Sequence, residues 1–259
     1  MKLKKFIASA DYHYPYYHEA SLNILLDFIK VFEPDTFVLG GDQVDNDLIS
    51  HWNKKKPRKI EGKRLQRMYH SFDKAVLTPI ENRLPRGATK VWLDGNHEYW
   101  IQEFLDEYPQ FEGMIELEKN LQLRKRGWKY IPYGVDEDPK TTYNISRKLA
   151  VSHGWYTNKY HASKTISMAE HSIITFHCHT NQTFTKQRIL DLKDYHTCIS
   201  APCMCGRKPS YGRGRPNSWV NGFTYGYIQP DGAYTVNTAV IAKDKAIIEG
   251  KLYNGSYRK

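Results

Sequence analysis

The sequence predicts an α/β fold. Short apolar segments of strand length alternate with longer segments in which apolar residues recur at helical spacing. Each early apolar segment also ends in a small cluster of Asp, Asn, His and Gly residues. In open α/β sheets, sites form just beyond the carboxyl ends of the strands. The 259 residues are enough for one large domain of this class.

Three strands are predicted in the first half of the chain. They cover Lys5 to Ala10, Thr36 to Leu39 and Thr89 to Leu93, and each is a short apolar segment followed by polar or glycine residues. Two further short strands, Leu149 to Ser152 and Ser172 to Phe176, follow later in the chain. Beyond Thr183, β-branched and aromatic residues between Gly and Pro turns predict more strands.

Helices are predicted between these strands. Glu19 to Phe32 has apolar residues at helical spacing and ends before Pro34, which cannot continue a helix. A long amphipathic segment covers Gly62 to Leu84, and His97 to Leu105 presents a third apolar face. No internal repeat or low-complexity linker interrupts the pattern, so we expect residues 1–259 to form a single domain.

Composition indicates a cytoplasmic protein without a membrane partner. No segment approaches the roughly 18 apolar residues of a membrane span, and the apolar run at the N-terminus is too short for a secretory signal. The four cysteines are therefore expected to be free thiols: Cys178, Cys198, Cys203 and Cys205. The last three lack C-x-x-C spacing, so a structural zinc site is not expected.

The polar clusters at the strand ends form a set with metal-binding chemistry. They are Asp11-Tyr12-His13, Gly41-Asp42-Gln43-Val44-Asp45, Gly95-Asn96-His97-Glu98, His153-Gly154 and His177-Cys178-His179. Carboxylate, amide and imidazole ligands suit Mn, Fe, Zn or Co better than Ca or Mg. A pair of ions some 3.5–4 Å apart needs about seven such ligands, one of them able to bridge. Because alternate residues of a strand project to one side, both outer residues of D-x-H or H-x-H are expected to reach one ion.

The order of these motifs resembles the calcineurin-like metallophosphoesterase superfamily. The resemblance implies a four-layer α/β/β/α sandwich with two central mixed β-sheets, in which residues 183–259 complete the second sheet. It also implies two divalent metal ions. By the same resemblance, the first ion would be held by Asp11, His13 and His179, the second by Asn96, His153 and His177, and Asp42 would bridge them.

The resemblance gives further roles near the metals. His97 would contact the substrate phosphate and help to protonate the leaving oxygen, as a histidine with a pKa near the working pH can do. Asp45 and Glu98 would orient a histidine or a loop rather than bind metal. One position departs from the family pattern, because Phe176 stands where a glycine usually precedes the final H-x-H motif.

The formal net charge of +10 suggests an anionic partner. Eight basic residues and one acid lie between His51 and His70, just beyond the Asp42 loop. Candidate substrate-binding residues are His51, Lys54, Lys55, Lys56 and Arg58, with Arg213 and Arg215 in a second basic segment. Each run could equally be a solvated surface. Tyr14, Tyr16 and Tyr17 either form a rim that stacks a base or pack under the first helix.

These features predict a metal-dependent phosphodiesterase that acts on nucleic acid or nucleotides, with two ions, Mn being favoured and Fe, Zn, Co or Ni possible. A phosphomonoesterase or protein phosphatase of the same fold is the nearest alternative. A non-catalytic nucleic-acid-binding module is a third reading. The presence of all seven expected ligands and His97 favours an enzyme over a degenerate scaffold.

Overall fold

The computed structural model describes residues 3–54, 56–134, 141–188, 191–208 and 216–256. The strands are β1 (Lys4–Ser9), β2 (Thr36–Gly40), β3 (Thr89–Leu93), β4 (Trp128–Ile131), β5 (Thr142–Ser146), β6 (Leu149–Ser152), β7 (Ser172–Thr175), β8 (Gln182–Arg188), β9 (Asp191–Ser200), β10 (Asn221–Ile228), β11 (Tyr234–Ile241), β12 (Lys245–Ile248) and β13 (Lys251–Asn254). The α-helices are α1 (Glu19–Phe32), α2 (Pro57–Ile60), α3 (Leu65–Phe72), α4 (Thr78–Glu81), α5 (Asn96–Glu107), α6 (Leu117–Asn120) and α7 (His161–Met168). None of the helices in these ranges is both long and apolar enough to cross a membrane.

Two mixed sheets form the centre of the fold. The first has the strand order β11-β10-β1-β2-β3-β4, and its last four strands are parallel. The second has the order β5-β6-β7-β9-β8, with β6, β7 and β9 parallel. Strands β12 and β13 form a separate hairpin. Parallel pairing aligns the carboxyl ends of β1, β2 and β3 at one edge of the first sheet.

Apolar side chains define four layers. Between the two sheets, Phe6 and Val38 of the first sheet form a buried cluster with Val151 and Ile174 of the second. The outer face of the first sheet packs against α1 and the α3–α4 region. The outer face of the second sheet packs against α7, where Ile166 joins the cluster. The predicted α/β/β/α sandwich is therefore confirmed.

The helical prediction for residues 62–84 is also confirmed in outline. Helix α3, a π-helical turn at Asp73–Leu77 and α4 follow one another without a break from residue 65 to residue 81. Phe72, Val76 and Ile80 are completely buried on this segment. Their spacing of four residues places them on one face of the helix, which is the apolar face that the sequence pattern indicates.

The C-terminal strands correct one expectation. We expected residues 183–259 to complete the second sheet, but only β8 and β9 join it. Strand β10 instead pairs antiparallel with β1, with Ala8 opposite Thr224, and extends the first sheet. Packing explains this placement, because Phe223 and Tyr225 of β10 contact the ring of Phe28 on α1.

Candidate metal centre

The predicted ligands converge at the carboxyl ends of five strands. Asp11 and His13 follow β1, Asp42 follows β2, and Asn96 begins the helix after β3. From the second sheet, His153 follows β6, and His177 with His179 follow β7. Asp11 and His153 are fully buried, and Asp42 is 1% exposed. Burying this many ionisable groups together is costly unless they share a counter-charge.

The backbone brings these residues together in a way that differs from our expectation. We expected strand alternation to aim both outer residues of D-x-H and H-x-H at one ion. Asp11, His13, His177 and His179 instead lie beyond their strands with φ between 46° and 72°. This left-handed conformation is uncommon outside glycine and often marks functional sites. Consecutive tight bends, not an extended strand, therefore direct these side chains inward.

The first donor cluster contains Asp11, His13 and His179. The Nε2 atoms of His13 and His179 lie 3.1 Å apart, and Asp11 Oδ1 lies 3.4 Å from the Nε2 of His179. His13 Nδ1 lies 3.1 Å from Asp45 Oδ1, so the neutral ring donates there and its Nε2 lone pair faces the cluster. Asp11 Oδ1 is buried without a hydrogen-bond partner among the described residues.

The second donor cluster contains Asp42, Asn96, His153 and His177. His153 Nδ1 donates to the Gly40 carbonyl at 2.9 Å. Its Nε2 atom lies 3.2 Å from Asn96 Oδ1 and 3.3 Å from Asp42 Oδ2. The ring of His177 lies 5.1 Å from that of His153. Asp42, His153 and His177 each present a ligand atom within 4.8 Å of the others.

Asp42 lies between the two clusters. Its Oδ2 atom is 3.6 Å from His13 Nε2 in the first cluster and 3.3 Å from His153 Nε2 in the second. Although burial opposes ionisation, the charges of His153 and His97 hold the Asp42 pKa well below its usual value. Without an ion, the histidines must supply the positive charge, and Asp42 accordingly raises the pKa of His153 to about 10 despite its burial. The centre therefore has the electrostatics of a cation site.

His97 lies at the edge of the centre, on the first turn of α5. Its Nδ1 atom donates to the Asp45 carbonyl at 2.8 Å, and its Nε2 atom lies 3.8 Å from Asp42 Oδ2. Burial lowers the pKa of His97, but the neighbouring charges of Asp42 and Asp45 outweigh this effect and raise it to about 9. A protonated Nε2–H that faces the metal ligands is well placed to donate a proton.

Asp45 and Glu98 contact the ligands in different ways. The Asp45 carboxylate lies 3.1 Å from His13 Nδ1 and 3.2 Å from His97 Nδ1, so it orients both rings. Glu98 is a buried clamp on the Asp42 loop. Its two carboxylate oxygens accept the backbone N–H groups of Asp42, Gln43, Val44 and Gly95, at 2.8 to 3.2 Å.

The ring of the unusual Phe176 packs against Gly40, which ends β2 of the other sheet. Phe176 is 1% exposed, and a Cβ added at Gly40 would come within 2.3 Å of the ring. A second close approach occurs at Gly95, where a Cβ would lie 2.2 Å from Asp42 Oδ1. The aromatic ring thus fills space that glycine leaves free.

Two cysteines lie behind the first cluster, a feature that sequence spacing did not indicate. The thiols of Cys203 and Cys205 are buried and lie within 4.8 Å of a His179 nitrogen. Cys205 Sγ is 3.8 Å from His179 Nδ1, so the ring presents Nε2 to the metal centre. Cys198 lies elsewhere, with its thiol 3.7 Å from Thr175 Oγ1. The sequence hides this relationship, because 23 residues lie between His179 and Cys203.

Aromatic residues around the centre were also missed by motif reasoning. The ring of Trp100 lies 3.9 Å from that of His97, and the ring of Trp219 lies 4.2 Å from that of His179. Tyr133 makes an edge contact with His153 at 6.1 Å. Trp100 follows His97 by three residues on one helix, which is a spacing that could have indicated the contact.

The predicted substrate-binding residues fall into three groups. Lys54 forms an ion pair with Glu107 on the exposed side of α5, and His51 Nδ1 lies 3.7 Å from Glu103 Oε2 on the same helix. Lys56 and Arg58 are exposed. Lys55, Arg213 and Arg215 lie outside the described residues. The ring of His51 lies 6.3 Å from that of Trp100. Trp100 lies one helical turn after His97 on α5.

The comparison with family models identifies the chain. The model for calcineurin-like phosphoesterases matches residues 4–196, which include every motif at the metal centre. The chain belongs to the calcineurin-like phosphoesterase family. This membership and the clustered Asp and His side chains support a metal-dependent phosphoesterase. Among curated proteins, none matches the sequence significantly.

Several solved structures resemble this calcineurin-like phosphoesterase at low sequence identity. Wild-type Vps29 from Entamoeba histolytica complexed with Zn²⁺ is 12% identical, with 96% of each chain covered and a TM-score of 0.44. Vacuolar Protein Sorting 29 from Cryptosporidium parvum is 11% identical over 93% of this chain and 99% of its own, with a TM-score of 0.40. Vps29 from Chaetomium thermophilum is 7% identical over 93% and 99%, with a TM-score of 0.35.

Proposed function

We propose that this calcineurin-like phosphoesterase is a phosphodiesterase that uses two divalent metal ions to cleave nucleic acid or nucleotides. The observation that carries the proposal is the position of Asp42. Its carboxylate lies within 3.6 Å of a histidine nitrogen from each donor cluster. A single carboxylate between two sets of inward-facing donors is the arrangement that a bridging ligand requires.

The donor atoms fit a pair of cations. Asp11 Oδ1 is buried without a partner among the described residues, and the Nε2 atoms of His13 and His179 face each other at 3.1 Å. Acceptors brought this close repel one another unless a proton or a metal ion lies between them. The ligands of the first ion would be Asp11, His13 and His179, and those of the second would be Asn96, His153 and His177, with Asp42 shared. Oxygen and imidazole donors favour Mn, with Fe, Zn, Co and Ni as the other candidates.

The protein side of the reaction depends on His97. Bound ions of this kind lower the pKa of water and neutralise charge on a phosphate. The Nδ1–H of His97 donates to the Asp45 carbonyl at 2.8 Å, so the proton available for transfer is the second one, which the imidazolium carries at Nε2. That proton faces the metal ligands and can pass to the oxygen of the leaving group. Asp45 fixes the ring, and Glu98 fixes the loop that presents Asp42.

The preference for a polyanionic substrate rests on charge. The chain has a formal net charge of +10, and eight basic residues lie in the twenty-residue segment 51–70 that follows the Asp42 loop. A positive surface beside the centre would attract a phosphodiester backbone and raise its local concentration. Among the predicted binding residues, Lys56 and Arg58 are exposed. Lys54 shares its charge with Glu107 on α5.

A metal screen crossed with a substrate panel tests the proposal. Metal-free protein is loaded with Mn, Fe, Co, Ni, Zn or Mg and assayed on single- and double-stranded DNA, RNA, bis-p-nitrophenyl phosphate and p-nitrophenyl phosphate. We expect Mn to restore the highest activity, and the diesters to be cleaved faster than the monoester. Faster release from p-nitrophenyl phosphate would instead assign a phosphomonoesterase. Nucleic-acid binding that survives chelation, with no hydrolysis in any metal, would assign a binding module.

We further propose that the protein works in the cytoplasm. The four cysteines are free thiols. Cys203 and Cys205 form no disulfide, although both thiols lie within 4.8 Å of a nitrogen of His179. Reduced thiols in such proximity are typical of a reducing compartment. Fractionation of cells that express the tagged chain would place it, and recovery with a secreted fraction would contradict the assignment.

A further inference from the structure

A cavity of about 210 Å³ is lined in part by Tyr14, the residue that follows His13 of the first donor cluster. Its apolar lining comes from Tyr14, Leu48 and Met68, and its charged lining comes from Lys63, Arg64 and Arg67. We name these six residues the basic cavity. Drug-sized ligands occupy sites of roughly 300–1,000 Å³, so this volume suits a single ring system, while the exposed side chains of Arg64 and Arg67 can meet a group at its opening.

Two of the three basic residues of the basic cavity have no carboxylate partner among the described residues. Lys63 shares its charge, since its Nζ lies 2.5 Å from Asp47 Oδ2 and 3.1 Å from the Tyr16 hydroxyl. Among the described residues, the Arg64 side chain donates to the Lys63 carbonyl, at 2.8 Å. Within the described ranges, neither Arg64 nor Arg67 forms an ion pair with a carboxylate. Two exposed guanidinium groups at one opening favour an anionic group, and their planar geometry suits a phosphate.

The rest of the lining is apolar and held in place. The ring of Tyr14 stacks on Tyr17 at 5.5 Å and meets Phe72 edge-on at 5.8 Å. Leu48 and Met68, both half-buried, continue this surface. Inorganic phosphate or an acidic peptide would leave such a wall without a partner. A nucleotide, with an anionic phosphate and a flat apolar base, matches both walls.

The basic cavity is joined to the metal loops through the backbone. Tyr14 directly follows His13, and its N–H donates to the Gln43 carbonyl at 3.0 Å. The Asp45 N–H in turn donates to the Tyr14 carbonyl at 3.0 Å. One wall of the cavity is thus continuous with the loops that hold the metal ligands. The cavity and the candidate metal ligands therefore share the loops that follow β1 and β2.

We infer that the basic cavity is a nucleotide subsite for single-stranded nucleic acid. The phosphate of a nucleotide next to the cleaved bond contacts Arg64 and Arg67, and its unstacked base lies on Tyr14, Leu48 and Met68. A base paired in a duplex cannot reach such a wall, and for this reason the subsite selects single strands. The inference rests on the proposed function, because it names the substrate of the same centre.

The double variant Arg64→Ala/Arg67→Ala tests the subsite. On a short single-stranded oligonucleotide, we expect KM to rise roughly tenfold or more, as loss of charge-assisted hydrogen bonds predicts. The slope of log affinity against log salt should flatten by about 1.4, which is two contacts at about 0.7 each. Hydrolysis of bis-p-nitrophenyl phosphate should not change, since that substrate does not extend into the cavity. An abasic residue beside the cleaved bond should weaken binding of the wild type.

Lys245→Ala/Lys251→Ala is the matched control. It removes the same charge from the β12–β13 hairpin, which packs against α1 and β11. Oligonucleotide KM should then stay near the wild-type value. If both double variants behave alike, or if the abasic and intact strands bind equally, the subsite is wrong although the phosphodiesterase proposal stands. If the wild type cleaves p-nitrophenyl phosphate but no nucleic acid, the proposed function and the subsite both fail.

Discussion

Glu98 Oε2 accepts the backbone N–H of Asp42 at 2.8 Å, and this contact ties helix α5 to the loop that presents the shared carboxylate. The same helix begins with Asn96 and His97. A donor from the second cluster, the candidate proton donor and the position of Asp42 are thus set by one element. Four backbone N–H groups converge on the buried Glu98 carboxylate. The motif G-N-H-E therefore contains two side chains of the site, Asn96 and His97, and the carboxylate that holds the Asp42 loop, Glu98.

We expect Glu98→Gln to lower the free energy of unfolding by about 1–3 kcal/mol, the cost of unsatisfied buried polar groups. The amide NH₂ would face backbone N–H donors where the carboxylate oxygen accepts two of them. Urea unfolding of metal-free protein measures the change. Glu103→Gln is the control on the same helix, where an exposed residue should shift stability by no more than about 0.5 kcal/mol. Equal losses in both variants would contradict the clamp.

Asp42→Asn should abolish hydrolysis and leave one bound ion or none. The side chain keeps its size, but the amide carries one donor group and no charge, so it cannot bridge two cations. Metal content after dialysis and isothermal titration with Mn would measure the loss. Asp45→Asn provides the contrast, since Asp45 only orients His13 and His97. That variant should keep both ions with roughly 10- to 100-fold weaker affinity, and two tightly bound ions in Asp42→Asn would disprove the bridge.

The pKa of His97 should be near 9 in the metal-free protein, because Asp42 and Asp45 stabilise its charged form against burial. A histidine whose pKa is raised in the fold adds stability that is complete below its ordinary value of 6.5. This stability is lost as the pH rises towards 9. The decline in the free energy of unfolding across this range should be steeper in the wild type than in His97→Gln.

Two measurements accompany the His97 variant. NMR titration of the metal-free protein gives the pKa directly, and loading with metal should lower it, because the ions offset the Asp42 charge. His97→Gln should retain both ions while its rate falls by about 10²–10⁴, the usual contribution of a general acid. Loss of an ion in this variant would make His97 a ligand and overturn its assigned role.

Cys205→Ala should weaken metal binding by roughly 10- to 100-fold, the range found when the outer partner of a metal-binding histidine is removed. The thiol lies 3.8 Å from His179 Nδ1 and orients the ring. Competition with a fluorescent chelator measures the affinity. Cys198→Ala makes the same chemical change at a buried thiol beside Thr175, and its metal affinity should match the wild type. Unchanged affinity in Cys205→Ala would reduce the contact to simple packing.

The sequence by itself determined the alternation of strands and helices and the family. Both depend on local patterns, which can be recognised without the tertiary structure. These patterns are the apolar segments of strand length and the ordered motifs D-x-H, G-D-x-x-D, G-N-H-E, H-G and H-x-H. Even the position of Asp42 after a buried strand could be predicted, since Gly40 and Gly41 end that strand visibly. The less apolar strands β4 and β5 have no comparable local signal and were not predicted.

Only the tertiary structure decided how these motifs meet. Left-handed backbone at Asp11, His13, His177 and His179 directs the ligands inward, and no residue type in those motifs reveals it. The contact of Cys205 with His179 and the seating of β10 beside β1 join residues far apart in the chain. The ion pair of Lys54 likewise depends on a distant residue, Glu107 at the end of helix α5. Such relationships arise from packing between distant segments, and packing is a property of the folded chain as a whole.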